Sequence, residues 1–242
     1  MPSSTVAYRK KLEIRGSSTQ ALDLGEGIAK VKQMAGVSAD RSYKNGKKRK
    51  AYNQTVELVM HLGIDPRQAD QAVRGALSFP KGIGKARTVI AFCDGATAAE
   101  AKAAGAIEAG GDELVEKITK GWLDFDVAVA HPSMMGKVGK LGRVLGPHGK
   151  MPTPKSGTVT QDVVTAVREF TAGRVEYRND AGGNVHLPVG KVAFPVEDLK
   201  ENIEAAVKHM ARVKPAAAKG QYFKRICISA TNTPAVTVNV AT

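Results

Sequence analysis

The chain is poor in cysteine, and its few histidines are scattered, which excludes several kinds of chemistry. Only two of its 242 residues are cysteine. Cys93 and Cys227 lie far apart, each inside an apolar run, so we interpret them as small buried side chains rather than a disulfide or a metal pair. The five histidines show neither HExxH spacing nor a nucleophile signature; they are His61, His131, His148, His186 and His209. The sequence therefore predicts no metal site, no cofactor and no catalytic centre built on these residues.

Aromatic residues and long apolar runs are also scarce. Aromatic side chains make up 5% of the chain, which argues against a sheet face covered with stacked nucleic-acid bases. We interpret the single tryptophan, Trp122, as a core residue. No run approaches the roughly 18 apolar residues of a membrane-spanning helix, and the first residues do not resemble a signal peptide. We therefore expect a cytoplasmic protein without a membrane span.

Positive charge, in contrast, is in excess. Lysine and arginine number 36 against 23 acidic residues, which gives a formal net charge of +13. A surface of this charge attracts polyanions. Nucleic acid is therefore the first expected partner, and an anionic membrane surface is the second.

The two longest stretches without an acidic residue both carry several cations. The first lies between Asp126 and Asp162 and contains Lys137, Lys140, Arg143, Lys150 and Lys155. The second follows Glu204 and contains Lys208, Arg212, Lys214, Lys219, Lys224 and Arg225. Folding alone gives no reason to exclude acids, whereas contact with phosphate does. A further run of six cations at 41–50 is either a solvated loop or a direct RNA contact.

Periodicity predicts a mixed α/β chain. Helix-like spacing covers 21–35 and 195–213, and an alternating strand pattern covers 55–64. Further strands are predicted at 73–79, 225–231 and 236–240, and a hairpin is predicted from 174–178 and 184–190. From residue 80 onward, short apolar runs at 88–93 and 126–130 alternate with helical sequence. This pattern indicates βαβ units and a small parallel sheet in a domain of its own.

Two glycine-rich segments resemble nucleotide-binding loops but lack the required context. In the segment 141–151 only two residues separate Gly146 from Gly149, and Met151 follows Lys150 where a phosphate-binding loop needs Ser or Thr. The segment 81–85 precedes a strand, whereas a dinucleotide fingerprint follows one. We therefore predict that the protein is not an enzyme. A nucleotide-dependent enzyme and a basic protein that binds by charge alone remain the alternatives.

Long ordered blocks carry a resemblance to a known family. They read LGIDPRQADQAVRG at 62–75, PKGIGK at 80–85, GRVLGPHGKMPTPKSGTV at 142–159, GRVEYRNDAGGNVHLPVGKVAF at 173–194 and KPAAAKGQYFKRICISAT at 214–231. In order and spacing they resemble the L-one family of large-subunit ribosomal proteins, bacterial type. The resemblance runs from about Leu22 onward.

The resemblance implies a fold class of α/β combined with α+β, in two domains. Residues 1–81 and 173–242 would form a discontinuous α+β sandwich domain that binds rRNA. Residues 82–172 would form an inserted Rossmann-like three-layer α/β/α domain. The implied function is to bind the stalk region of large-subunit rRNA, to help release deacylated tRNA from the exit site, and to repress translation of the protein's own mRNA. The protein would act as a monomer within the ribosome.

The resemblance also implies an RNA-binding surface on the split domain. Its residues would be Tyr52, Thr55, Glu57, Arg178, His186, Lys191, Lys219, Ser229 and Thr231. The acid-free stretch between Asp126 and Asp162 would then make a second, weaker RNA or tRNA contact. The sequence departs from the family where Asn232 and Thr233 replace the usual Met-Gly, and where His148 replaces an arginine. The run 41–50 resembles an insertion.

Overall fold

The computed structural model describes residues 6–17, 20–37, 52–68, 70–84 and 87–240. The predicted basic run at 41–50 lies outside these residues. The helices are α1 (Val6–Arg15), α2 (Leu24–Gly36), α3 (Gly95–Ala103), α4 (Asp112–Thr119), α5 (Met135–Val138), α6 (Gly142–Leu145), α7 (Val163–Thr171) and α8 (Val196–Arg212). The strands are β1 (Leu22–Asp23), β2 (Thr55–Leu62), β3 (Arg74–Leu77), β4 (Val89–Phe92), β5 (Glu108–Gly110), β6 (Val127–Ala130), β7 (Val175–Arg178), β8 (Asn184–Lys191), β9 (Phe223–Ala230) and β10 (Val236–Asn239).

The chain divides into two compact units. Unit 1 comprises Met1–Val73, Phe79–Gly84 and Tyr177–Thr242, and unit 2 comprises Arg74–Ser78 and Lys85–Glu176. Unit 1 is therefore built from both halves of the sequence, with unit 2 inserted between them. The molecule is a mixed α/β protein with several sheets and helices.

Unit 1 is organised around a five-stranded sheet with the order β1-β10-β9-β2-β8. Its strands pair antiparallel, apart from the short parallel pair of β1 with β10. Burial alternates along β2: Val56, Leu58, Met60 and Leu62 are at most 2% exposed, whereas the residues between them are exposed or half-buried. This period of two leaves one apolar face, and helices α2 and α8 pack on it.

Helices α2 and α8 begin where local chemistry favours a helix N-terminus. The carboxylate of Asp23 accepts a hydrogen bond from the amide of Gly25 at the start of α2. Helix α8 follows Pro195 and carries Glu197 and Asp198 in its first turn, where negative charge meets the positive end of the helix dipole. Its buried positions Leu199, Asn202, Ile203, Ala206, Val207 and Met210 recur at helical spacing.

Unit 2 contains a parallel three-stranded sheet with the order β5-β4-β6. All four residues of β4 and all four of β6 are buried, as in a sheet covered on both sides. On one side, Val89, Ala91 and Cys93 pack with residues of α3 and α7, including the fully buried Phe170. On the other, Ile90 and Phe92 pack with α4 and with the short helical turns of 132–145.

The structure confirms the predicted strand at 55–64 as β2 and the predicted helix at 195–213 as α8, with shorter bounds. The predicted hairpin of 174–178 with 184–190 is wrong. Only an isolated bridge joins Asn179 to Val185. Strand β7 instead pairs with β3, and β8 pairs with β2 from one end to the other. Each strand thus finds its backbone partners far away in sequence, which a short-range turn signal does not reveal.

Candidate nucleic-acid interface

The face of the unit 1 sheet opposite α2 and α8 is polar, and we call it the outer face. It is formed by the alternate residues of β8, β2 and β9, which strand register aligns in four rows. The rows are Lys191, Thr55 and Thr231; Pro188, Glu57 and Ser229; His186, Val59 and Cys227; and Asn184, His61 and Arg225. Given the usual spacings in a sheet, this grid is about 20 Å long and about 10 Å wide.

A β-bulge decides which face Lys191 occupies. Val56 is registered with Gly190, but Glu57 is registered with Pro188, so Val189 is an extra residue in β8. Simple alternation from His186 and Pro188 would turn Lys191 toward the core. The extra residue shifts the alternation by one and brings Lys191 to the outer face beside Thr55.

The first row is joined by hydrogen bonds. The Lys191 ammonium donates to Thr55 Oγ1 (2.8 Å), and the Thr55 amide donates to Thr231 Oγ1 (3.2 Å). The Thr231 hydroxyl donates to the carbonyl of Thr55 (3.4 Å), which also accepts from the Thr231 amide (3.2 Å). Because a hydroxyl has one proton and two lone pairs, Thr231 keeps one acceptor position free for a donor such as a ribose 2′-hydroxyl.

Glu57 places an exposed carboxylate in the middle of this face. It lies between Pro188 on β8 and Ser229 on β9. A carboxylate repels phosphate but accepts hydrogen bonds from base amino groups and 2′-hydroxyls. Glu57 therefore gives the outer face an acceptor for such donors beside its cations.

The turn beside His186 is closed by hydrogen bonds to the carboxylate of Asp180. Asp180 accepts hydrogen bonds from the amides of Gly182 (2.8 Å) and Asn184 (2.7 Å) and from the Asn184 side chain (3.0 Å). Hydrogen bonds from Asn184 lower the pKa of Asp180 to about 2. The bond from the Asn184 side chain contributes most, and the bond from its backbone amide contributes next. The ionised Asp180 lies 3.7 Å from Nε2 of the exposed His186.

Three of the nine predicted residues lie away from the grid. Tyr52 is 66% exposed and precedes β2. Arg178 is exposed at the end of β7, which belongs to a different sheet. Lys219 is exposed in the loop between α8 and β9. The other six belong to the grid: Thr55, Glu57, His186, Lys191, Ser229 and Thr231.

Sequence reasoning missed some residues of the grid. His61 and Asn184 are hydrogen-bonded to each other (Nδ1 to Oδ1, 2.9 Å), and Arg225 is registered beside His61. The alternation along β2 could have predicted His61, because His61 is an even number of residues from Thr55 and Glu57 and so lies on the same face of the strand. No local signal pairs Asn184 or Arg225 with it, since that requires the register of three strands.

In the acid-free stretch of unit 2, some cations contact groups that lie outside the stretch in sequence. Lys137 pairs with Asp112 at 2.8 Å, although Asp112 lies outside the stretch. Lys150 donates to the carbonyl of Leu123 (2.9 Å) and lies over the ring of Phe125. Lys140 and Arg143 remain exposed on the short helical turns. The stretch therefore offers fewer available cations than the sequence predicted.

Among the residues whose structure is described, no group of three or more His, Cys, Asp or Glu side chains could hold a metal ion. No helix in the same ranges is both long and apolar enough to cross a membrane.

A comparison with protein-family models identifies the chain. The model of the ribosomal protein L1p/L10e family matches residues 41–234. The match covers most of the sequence and includes β2, β8 and β9, the strands that form the grid, as well as all of unit 2. The chain therefore belongs to the ribosomal protein L1p/L10e family.

Proposed function

We propose that the outer face of unit 1 binds the stalk region of large-subunit rRNA. Family membership makes the chain a large-subunit ribosomal protein that binds rRNA, in a family with a structural and not an enzymatic role. The observation that carries the proposal is the grid itself. Residues that are distant in sequence meet there in consecutive rows on three adjacent strands.

The chemistry of the grid suits folded RNA. Lys191 and a ring N–H of His186 can donate to phosphate oxygens, while Thr231, Ser229 and Glu57 offer acceptors for 2′-hydroxyls and base edges. The grid contains no Phe, Tyr or Trp, so stacking of splayed bases on it is not part of the proposal. Recognition depends on RNA shape and hydrogen bonding.

Several finer expectations belong to the same proposal. Units 1 and 2 would be the two domains predicted from the sequence, a split α+β sandwich domain (1–81 and 173–242) and an inserted Rossmann-like α/β/α domain (82–172). Bound to the stalk as a monomer, the protein would help to release deacylated tRNA from the exit site. By the same surface it would repress its own mRNA, provided that the message contains a fold similar to the stalk.

The native cysteines give a direct test of the proposed face. Cys227 is half-buried in the third row of the grid, whereas Cys93 is 1% exposed in the core of unit 2. Burial, with a further contribution from Asp94, raises the pKa of the Cys93 thiol, so Cys93 reacts slowly and serves as an internal control. We expect saturating stalk rRNA fragment to slow alkylation of Cys227 by iodoacetamide, as measured by mass spectrometry.

An equal concentration of duplex DNA, at a salt concentration that suppresses charge-only binding, should leave the alkylation rate of Cys227 unchanged. If Cys227 reacts at the same rate with and without bound stalk rRNA, the RNA does not cover the outer face and the proposal is wrong.

A further inference from the structure

We propose that Lys11 is a positioning residue through which helix α1 fixes the loop 231–233 in its RNA-binding geometry. The loop follows β9 and carries Thr231. The inference rests on the proposed function, because it concerns the same outer face. It adds a segment outside the residues matched by the family model, which begin at 41.

Lys11 is the only residue of α1 that is fully buried. It is 5% exposed, whereas the other residues of this helix, including Val6, Leu12 and Ile14, are exposed or half-buried. Burial of a cation is unfavourable unless the charge is hydrogen-bonded. A buried Lys11 therefore requires a polar contact at this point of α1.

That contact is made to the loop. The Lys11 ammonium donates to the backbone carbonyl of Asn232 at 2.6 Å, a short, charge-assisted hydrogen bond between residues 221 positions apart. The carboxyl end of α1 is held separately, since the ammonium of Lys30 on α2 donates to the carbonyl of Arg15 (3.4 Å). Helix α1 thus contacts the loop through Lys11 and α2 through the carbonyl of Arg15.

The loop is also held from the side of β2. The Asn232 amide donates to Oε1 of Gln54 (3.0 Å), and Gln54, which is 2% exposed, donates to the carbonyl of Ala35 (3.3 Å). Both the amide and the carbonyl of Asn232 are therefore anchored. The preceding residue, Thr231, is bonded to Thr55 as described above, so Lys11 and Gln54 hold the loop immediately beyond the first row of the grid.

A loop that is ordered before binding avoids the entropy cost of ordering it on the RNA. This matters at Asn232 and Thr233, which replace a Met-Gly pair common in the family. The Thr233 hydroxyl accepts from the Ala230 amide (2.8 Å), which ties the end of the loop back to β9. With Lys11 in place, the segment from Ala230 to Thr233 has a hydrogen-bonded backbone at each step.

The test compares Lys11→Met with Lys10→Met. Both variants remove one positive charge from the same helix, but Lys10 is exposed. We expect Lys11→Met to weaken binding of a stalk rRNA fragment about tenfold, the effect of freeing about one residue of the loop. Lys10→Met should weaken it less than about threefold, with the same change in salt slope. Amide hydrogen exchange at Asn232 should accelerate in Lys11→Met alone.

Lys11→Arg is the second variant, because it keeps a charged donor at the end of a long side chain. We expect it to bind within about threefold of the wild type and to keep Asn232 protected. Equal affinities of Lys11→Met and Lys10→Met, or equal losses in Lys11→Arg and Lys11→Met, would overturn the inference. If the wild type itself does not distinguish stalk rRNA from duplex DNA, the proposed function fails, while the exchange rate of Asn232 still decides whether Lys11 orders the loop.

Discussion

At the scale of single residues, the proposed recognition of RNA by the grid depends on hydroxyl and carboxylate groups as much as on cations. Thr231 illustrates this, because its bonds with Thr55 fix both the proton and one lone pair of its hydroxyl. The remaining lone pair can only accept a hydrogen bond. In the proposed function, a threonine constrained in this way distinguishes ribose, which carries a 2′-hydroxyl, from deoxyribose, which does not. A mobile lysine cannot make this distinction.

We predict that Thr231→Ala weakens binding of stalk rRNA by about 1–3 kcal/mol, because a preoriented acceptor is lost. The salt dependence of binding should stay the same, since no charge is removed. Filter binding or calorimetry at several salt concentrations measures both quantities.

The matched control for this variant is Thr119→Ala in unit 2. Thr119 also has a hydroxyl bonded to a backbone carbonyl, that of Val115 at 2.8 Å. Its loss should leave rRNA affinity unchanged. An affinity of Thr231→Ala equal to that of the wild type would remove Thr231 from the proposed surface.

At the scale of elements, the bulge in β8 decides whether Lys191 belongs to the first row of the grid. Gly190 lies at this bulge and packs closely against residues that follow β8. A Cβ at this position would lie 2.8 Å from Cδ2 of Leu199 and 3.1 Å from Cδ2 of Phe194. Leu199 is fully buried, so it has little room to move.

We predict that Gly190→Ala destabilises unit 1 by about 1–3 kcal/mol through overpacking and also weakens rRNA binding, because the bulge and Lys191 shift together. Thermal unfolding and rRNA titration of the same sample measure the two effects. Gly139→Ala is the control, since nothing lies within 4 Å of a Cβ at Gly139. A destabilised Gly190→Ala variant with wild-type affinity would contradict the coupling between the bulge and the RNA surface.

The elements also show how far the sequence could predict the fold. The alternation along β2 and the helical spacing along α8 come from burial on one face, so local periodicity predicts both. Helix α1 was missed because its only buried residue is a lysine, and a short-range pattern cannot anticipate Asn232 as its partner.

The candidate site was predictable only in part. The residues of the site were predicted from the family resemblance. Alternation along the strand from His186 would instead have assigned Lys191 to the core. The bulge that reverses this assignment depends on the register of β8 with β2. That register is a property of the whole sheet, and no local stretch of sequence contains it.

At the scale of the whole molecule, net charge and specific recognition are separate properties. The charge of +13 draws any polyanion toward the protein. It does not by itself define a site, since a cation such as Lys137 is compensated by an acid distant in sequence. In the proposed function, selectivity comes instead from the geometry of the outer face, where Glu57 and Thr231 would restrict what the cations beside them can bind.

Competition binding tests this claim most directly. Labelled stalk rRNA fragment is bound to the full chain at moderate salt, and duplex DNA is added to about a thousandfold excess, which lies within the usual ratio of specific to non-specific affinity. If the outer face recognises RNA by geometry, most of the labelled RNA stays bound. If the DNA displaces the labelled RNA in proportion to its concentration, the protein binds by charge alone and the account is wrong.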